Sequence, residues 1–218
     1  MSSMPREESI ACRSCGKEFK VTMWESVDTR MPNAPMRLMT RDLFRIQCPH
    51  CGHADYIEYD ILYDDMEHNC IVCLVHNEEN WDQAEAMFAA LGEKDARLRI
   101  VQDSISLAEK VTALEYGRDD RLIELCKIFV CYHLGQIDPY FEPERVVYCI
   151  GDDENEYLSF LSTDGEETLS PFDDAMKTVY AALEKHCLEK IEAECADRHV
   201  FDLGWAYDFF NEHEGLFA

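Results

Sequence analysis

Two short cysteine pairs constrain this chain more than anything else in it: Cys12-Arg13-Ser14-Cys15-Gly16 and Cys48-Pro49-His50-Cys51-Gly52, two copies of C-x-x-C-G. Two residues between cysteines let both sulfurs face one point, and amides of the same tight turn can donate to the thiolates. Glycine after the second cysteine suits the turn because it takes positive φ at little cost. Two such knuckles supply four thiolates, a closed tetrahedral shell, so Cys12, Cys15, Cys48 and Cys51 are the expected ligands of one metal ion, foremost Zn2+. Spacing alone leaves two alternatives open. A single iron is held by the same paired knuckles in rubredoxin-like sites. A thioredoxin-type redox pair is disfavoured, because it wants one C-x-x-C at a helix start, whereas both pairs lie between strand-like segments.

The 32-residue gap (16–47) between the pairs exceeds the roughly 15–20 of the simple double knuckle and leaves room for strands and a loop. A third match, Cys70-Ile71-Val72-Cys73, lies in a continuous apolar run without glycine or proline. In a strand, residues three apart point to opposite faces, so a buried strand is expected there and no metal. His50 and His53 border the second knuckle, where a supporting role and an ordinary exposed position are equally compatible with the sequence.

The pattern divides the chain after His76. From Ser9 to His76 it is β-like, with strands expected at Phe19–Trp24, Leu43–Cys48, Tyr56–Leu62 and Ile71–Val75, and a loop over Asp28–Thr40, which carries Pro32 and Pro35. So short a stretch has little core of its own, and a metal is the staple on offer. Beyond Glu78 a helical period takes over. A helix is expected at Trp81–Leu91, capped by Asn80 and stopped by Gly92; then comes a strand at Arg97–Val101. A helical hairpin follows: Ser104–Tyr116, the break at Gly117, and a helix from Asp119 with Leu122, Leu125, Cys126, Phe129 and His133 on one stripe. Arg145–Ile150 and Tyr157–Leu161 read as a β-hairpin around Gly151–Asn155. Ser170 and Pro171 read as the cap and first residue of a long helix whose stripe runs Phe172, Met176, Val179, Leu183, Cys187, Ile191 and Cys195. A short helix at Trp205–Phe210 closes the chain. The fold class is therefore α+β: a β-rich zinc-ribbon unit with rubredoxin-like knuckles over residues 1–76, and a mainly helical part with a β-hairpin over 77–218.

Charge narrows the functions. With 20 basic residues against 45 acidic, the formal net charge is −25, spread along the chain as a solvated acidic surface. Such a chain is a poor ligand for phosphate backbones, although Ser9–Cys51 runs locally to +3 through Arg13, Lys17, Lys20, Arg30, Arg37, Arg41 and Arg45. Nucleic acid is accordingly disfavoured and a protein partner favoured. No apolar run of about 18 residues points to a membrane span. The polar start at Met1–Glu8 argues against a secretory signal, and 11 cysteines, an odd number, suit a reducing cytoplasm. No G-x-S-x-G, H-E-x-x-H, G-x-x-x-x-G-K-[ST] or G-x-G-x-x-G occurs. The expectation is a non-enzymatic zinc-binding module for protein interaction or regulation. An enzyme using Arg118, Asp119, Asp120 and Arg121 in a cleft near 117–124, with no catalytic residue assigned, and a zinc-ribbon nucleic-acid binder are the alternatives.

The chain resembles the CpXC family of uncharacterised bacterial and archaeal proteins, named for paired C-P-x-C motifs. The likeness rests on Cys12–Cys15, on Cys48-Pro49-His50-Cys51-Gly52-His53, on Leu62-Tyr63-Asp64-Asp65 leading into Cys70–His76, and on Leu114–Glu124. Arg13 stands where the family usually has proline, which alters the stiffness of the first turn and leaves the ligands in place. The resemblance implies a metal knuckle fold and brings no activity with it.

Overall fold

The computed structural model describes residues 2–91, 96–137 and 143–216. It is an α+β chain in two compact units, 1–111 and 112–218.

The first unit is built on a five-stranded sheet, order β1-β2-β5-β6-β7: β1 (Met4–Ala11), β2 (Glu18–Asp28), β5 (Ile61–Asp65), β6 (Cys70–Leu74) and β7 (Arg97–Val101). β1 and β2 form a long antiparallel ribbon, β2 joins β5 in parallel through Ser26–Asp28, and β7 adds to β6 in parallel after the crossover helix α2 (Trp81–Leu91). Tyr63, Val72, Leu74 and Ile100 are buried, so β5 and β6 carry near-continuous apolar text, as strands inside a sheet should. Cys70 and Cys73 sit in β6 as expected, Cys70 buried and Cys73 partly exposed. Apart from this sheet, β3 (Arg45–Gln47) and β4 (Ala54–Tyr56) make a short antiparallel hairpin.

Several local expectations are corrected here. Asp28–Thr40 holds a short helix, α1 (Ala34–Met39), because Pro35 falls in its first turn, where the missing N–H costs nothing. The strand expected at Leu43–Cys48 is a 3-10 turn (Asp42–Phe44) followed by the three residues of β3. The run Tyr56–Leu62 is broken between β4 and β5, where Ile57 N donates to Phe44 O and the buried Tyr59 hydroxyl to Leu43 O. Asn80 is not the cap: Asn77 accepts from Glu79 N at a preceding 3-10 turn, while Asn80 Nδ2 donates to Asp60 Oδ2 at 2.6 Å. The expected stop at Gly92 lies outside the described residues. Helix α3 (Ser104–Glu115), buried from Leu107 to Leu114, leads out of this unit.

In the second unit an antiparallel sheet, order β10-β9-β8, is formed by β8 (Arg145–Ile150), β9 (Glu156–Leu161) and β10 (Glu167–Pro171). Helices α4 (Asp120–Ile137), α5 (Asp174–Glu194) and α6 (Leu203–Glu212) share its core. Leu122, Leu125 and Cys126 of the α4 stripe are buried, but Phe129 is exposed and meets His133 edge-on, 4.3 Å between ring centroids. On α5, Met176, Leu183, Cys187 and Ile191 are buried and Val179 and Cys195 partly so, which places the stripe where the period put it. Its start differs: Ser170 and Pro171 belong to β10, and the cap is Asp173, whose carboxylate accepts from Ala175 N and Met176 N at 3.0 Å each. Pro171 ends an edge strand as readily as it opens a helix, and Phe172 N still donates to Glu156 O. Among the described residues no helix is long and apolar enough to cross a membrane.

Candidate metal centre

Each cysteine pair is the loop of a β-hairpin. Ala11 pairs with Glu18 across the first loop and Gln47 with Ala54 across the second, so residues 12–17 and 48–53 occupy equivalent positions. Their hydrogen bonds repeat. Cys12 N donates to Lys17 O and Gly16 N to Cys12 O, at 3.0 and 2.8 Å; Cys48 N donates to His53 O and Gly52 N to Cys48 O, at 2.8 and 2.9 Å. Gly16 and Gly52 sit at φ +71° and +76°, the left-handed region in which a side chain is strained.

The two loops face one another and bring the four sulfurs to within 4.8 Å of one another. Cys12 Sγ lies 3.7 Å from Cys51 Sγ, and Cys15 Sγ 3.8 Å from Cys48 Sγ. A tetrahedral ion with metal–sulfur bonds of about 2.3 Å sets sulfurs about 3.8 Å apart. A disulfide would need about 2.05 Å, and Cys12, Cys15, Cys48 and Cys51 are in none. The donor set therefore fits a tetrahedral thiophilic cation.

Electrostatics favour the same occupant. The Cys15 and Ser14 amides, with help from the Cys48 and Cys51 sulfurs, lower the Cys12 thiol to about 6 against partial burial. Cys15 behaves oppositely: the Lys17 amide lowers it, but burial and the three other sulfurs outweigh that and leave it at about 11. One proton leaves easily and the next is held by the charge already present. Neutralising that charge is what a divalent cation does.

Cys12, Phe19, Val21 and Cys48 form a small buried cluster with Ile10, Met23, Ile46 and Ile57 partly buried against it. Arg13 reaches across to Asp55 of the other hairpin at 3.4 Å, and the His50 ring to Glu18 O at 3.3 Å. Beside the sulfurs is a cavity of about 220 Å³ lined by Ile10, Phe19, Ile46 and Ile57, with Arg13 and Asp55 also on its wall. His53 contributes its carbonyl to the turn and a wall of that cavity.

The polar residues near 117–124 form a different arrangement. Arg118 makes a two-pronged ion pair with Glu156 at 2.8–3.0 Å, and its guanidinium lies over Phe172 and Tyr180, 5.3 and 5.2 Å from the ring centroids. Glu156 raises the Arg118 pKa, and burial with Glu156 raises that of Tyr148, whose hydroxyl donates to Glu156. Asp119 accepts from Arg121 N and pairs with its guanidinium at 2.7 and 2.9 Å, while Asp119 N donates to the Tyr180 hydroxyl at 2.7 Å. Asp120 is buried. Each guanidinium is thus matched to a carboxylate, tying the start of α4 to β9 and α5. Glu156, 38 residues from Arg118 in sequence, carried no signal that reading along the chain could find.

Of the seven basic residues between Ser9 and Cys51, Arg13, Lys20, Arg30, Arg37 and Arg41 lie against Asp55, Glu7, Asp28, Asp42 and Glu58. The local positive balance is therefore largely neutralised within the fold.

The two hairpins form a pair of cysteine knuckles whose four sulfurs lie close enough to hold a metal ion. The family described as CpXC protein matches residues 10–127, more than half of the chain, and the chain belongs to that family. The match runs beyond His76, through the Leu114–Glu124 segment, and ends inside α4. No curated protein and no solved structure is significantly similar to it.

Proposed function

We propose that this chain is a zinc-binding protein without enzymatic activity, in which one structural Zn2+ on Cys12, Cys15, Cys48 and Cys51 braces the portion from residue 1 to 76 as a zinc-ribbon-like platform. Residues 77–218 offer surface to a protein partner in the cytoplasm, and the role is interaction or regulation. The observation that carries the reading is the closed sulfur shell: four thiolates at tetrahedral spacing leave no open position for water or substrate. Zinc is preferred to iron because four-thiolate structural sites are its commonest setting. The paired state of Arg118, Asp119 and Arg121 supports a structural role for the 117–124 segment. The neutralised basic residues and the net charge of −25 speak against a nucleic-acid ligand.

Elemental analysis of the purified chain, with thermal unfolding before and after chelation, tests the metal. One zinc per chain and a large chelator-induced loss of stability are expected, and a red iron-containing protein would contradict the choice of metal. Affinity capture from cytosol that repeatedly recovers no partner would count against the interaction role.

A further inference from the structure

Two short sulfur contacts cross from one knuckle to the other, Cys12 to Cys51 at 3.7 Å and Cys15 to Cys48 at 3.8 Å. Burial divides both pairs in the same way: Cys12 and Cys48 are buried, Cys51 and Cys15 exposed. Each contact therefore joins an exposed cysteine to a buried one. That is the arrangement in which an attacked sulfur is resolved by a protected neighbour. Closing either pair to a disulfide of about 2.05 Å needs an approach of roughly 1.7 Å.

We infer that the cysteine cluster is an oxidation site: a peroxide-class oxidant converts it to the cross-knuckle disulfides Cys12–Cys51 and Cys15–Cys48 and releases the cation. This rests on the metal reading above and adds a second state to the same four residues. The exposed thiolate of Cys51 or Cys15 attacks a peroxide oxygen; the O–O bond breaks, hydroxide leaves, and the sulfur becomes a sulfenic acid. The buried thiolate of Cys12 or Cys48 then attacks that sulfur, the S–S bond forms, the S–O bond breaks, and a second hydroxide leaves. Each disulfide thus passes two electrons to one peroxide, and the cation departs with its oxidation state unchanged. Both disulfides join one hairpin to the other, so the clamp outlasts the metal, whereas disulfides within a knuckle would leave the hairpins untied. Other cysteines are poor competitors. Cys70, Cys126 and Cys187 are buried and Cys73, Cys131, Cys149 and Cys195 only partly exposed, whereas Cys15 and Cys51 are exposed, so an oxidant meets the knuckle cysteines first.

The test treats the zinc-loaded full chain with hydrogen peroxide beside a chromophoric zinc chelator, then blocks free thiols and maps disulfides by mass spectrometry. The stripped chain is treated in parallel. Expected are one zinc released for two peroxides consumed, the Cys12–Cys51 and Cys15–Cys48 disulfides, and recovery of zinc binding with dithiothreitol. Zinc held at doses that already oxidise Cys73, disulfides within the knuckles, or sulfinic acid at Cys15 and Cys51 would each overturn the inference. In Cys51→Ser, with or without metal, Cys12 should remain a free thiol while Cys15–Cys48 forms; a Cys12–Cys15 disulfide would overturn it too. A purified chain without metal at the cluster defeats the metal reading alone, and the pairing found in that metal-free chain still decides this one.

Discussion

Replacing Cys48 by serine isolates the contribution of the metal. Cys48 is buried, its sulfur stands 3.8 Å from that of Cys15, and its backbone N–H and C=O both close the second loop. Serine keeps the loop's hydrogen bonds and nearly the volume, so the change removes a ligand and little else. Structural zinc binding by knuckles of this kind is worth about 10–16 kcal/mol at neutral pH; shared over four thiolates, one ligand carries about 3–4 kcal/mol. By comparison, Phe19 and Val21, the two buried apolar side chains of the local cluster besides the cysteines, contribute about 1.5–3 kcal/mol each. The metal is therefore the larger influence. Cys48→Ser should weaken zinc binding about 100- to 1,000-fold, at about 1.4 kcal/mol per decade, in competition with a chromophoric chelator. Cys73→Ser, which alters the third C-x-x-C, should leave stoichiometry and affinity unchanged. Equal affinities for Cys48→Ser and the parent chain, or an equal loss in Cys73→Ser, would refute the reasoning.

Other perturbations reach different parts of the account. Gly52→Ala, at φ +76° with nothing within 4 Å of the added Cβ, should cost about 1–2 kcal/mol from backbone strain alone. It should lower the melting temperature with one zinc still bound, and an unchanged melting temperature would count against the turn. Zinc uptake by the stripped chain should release protons, since Cys15 stands at about 11, so affinity should rise with pH between about 7 and 9. Cys12 is depressed to about 6, so its thiolate is present above that value and lost below it, and affinity should fall steeply under pH 6. Calorimetry in buffers of different ionisation enthalpy checks both limbs, and a pH-independent affinity would contradict them. Arg118→Ala strands the Glu156 carboxylate beside Tyr148 and should cost about 3 kcal/mol in urea unfolding while zinc affinity stays the same. A cost under 1 kcal/mol would show that the pair is not the tie described.

How much of this was legible depended on how far apart the partners lie. The knuckles are local, with ligands, glycine and hairpin closure all inside six residues, so Cys12–Gly16 and Cys48–Gly52 announced themselves. The α5 stripe was equally plain because burial repeats with the helical period from Met176 to Ile191. β1 gave no signal, since seven of its eight residues are exposed and it carries no apolar alternation. α1 was hidden by Pro32 and Pro35, which read as loop although one of them suits a helix start. Ser170-Pro171 mimicked a cap because a proline closing an edge strand and one opening a helix look alike until β9 supplies the pairing. The meeting of the two hairpins is long-range, yet the chemistry of four thiolates forecast it, because no other arrangement satisfies them together.

Zinc K-edge X-ray absorption of the purified chain tests the central claim most directly. Four sulfur neighbours at about 2.3 Å, with no oxygen or nitrogen in the shell, is the expected spectrum. A shell with fewer than four sulfurs, or a chain that carries no metal at all, would contradict it.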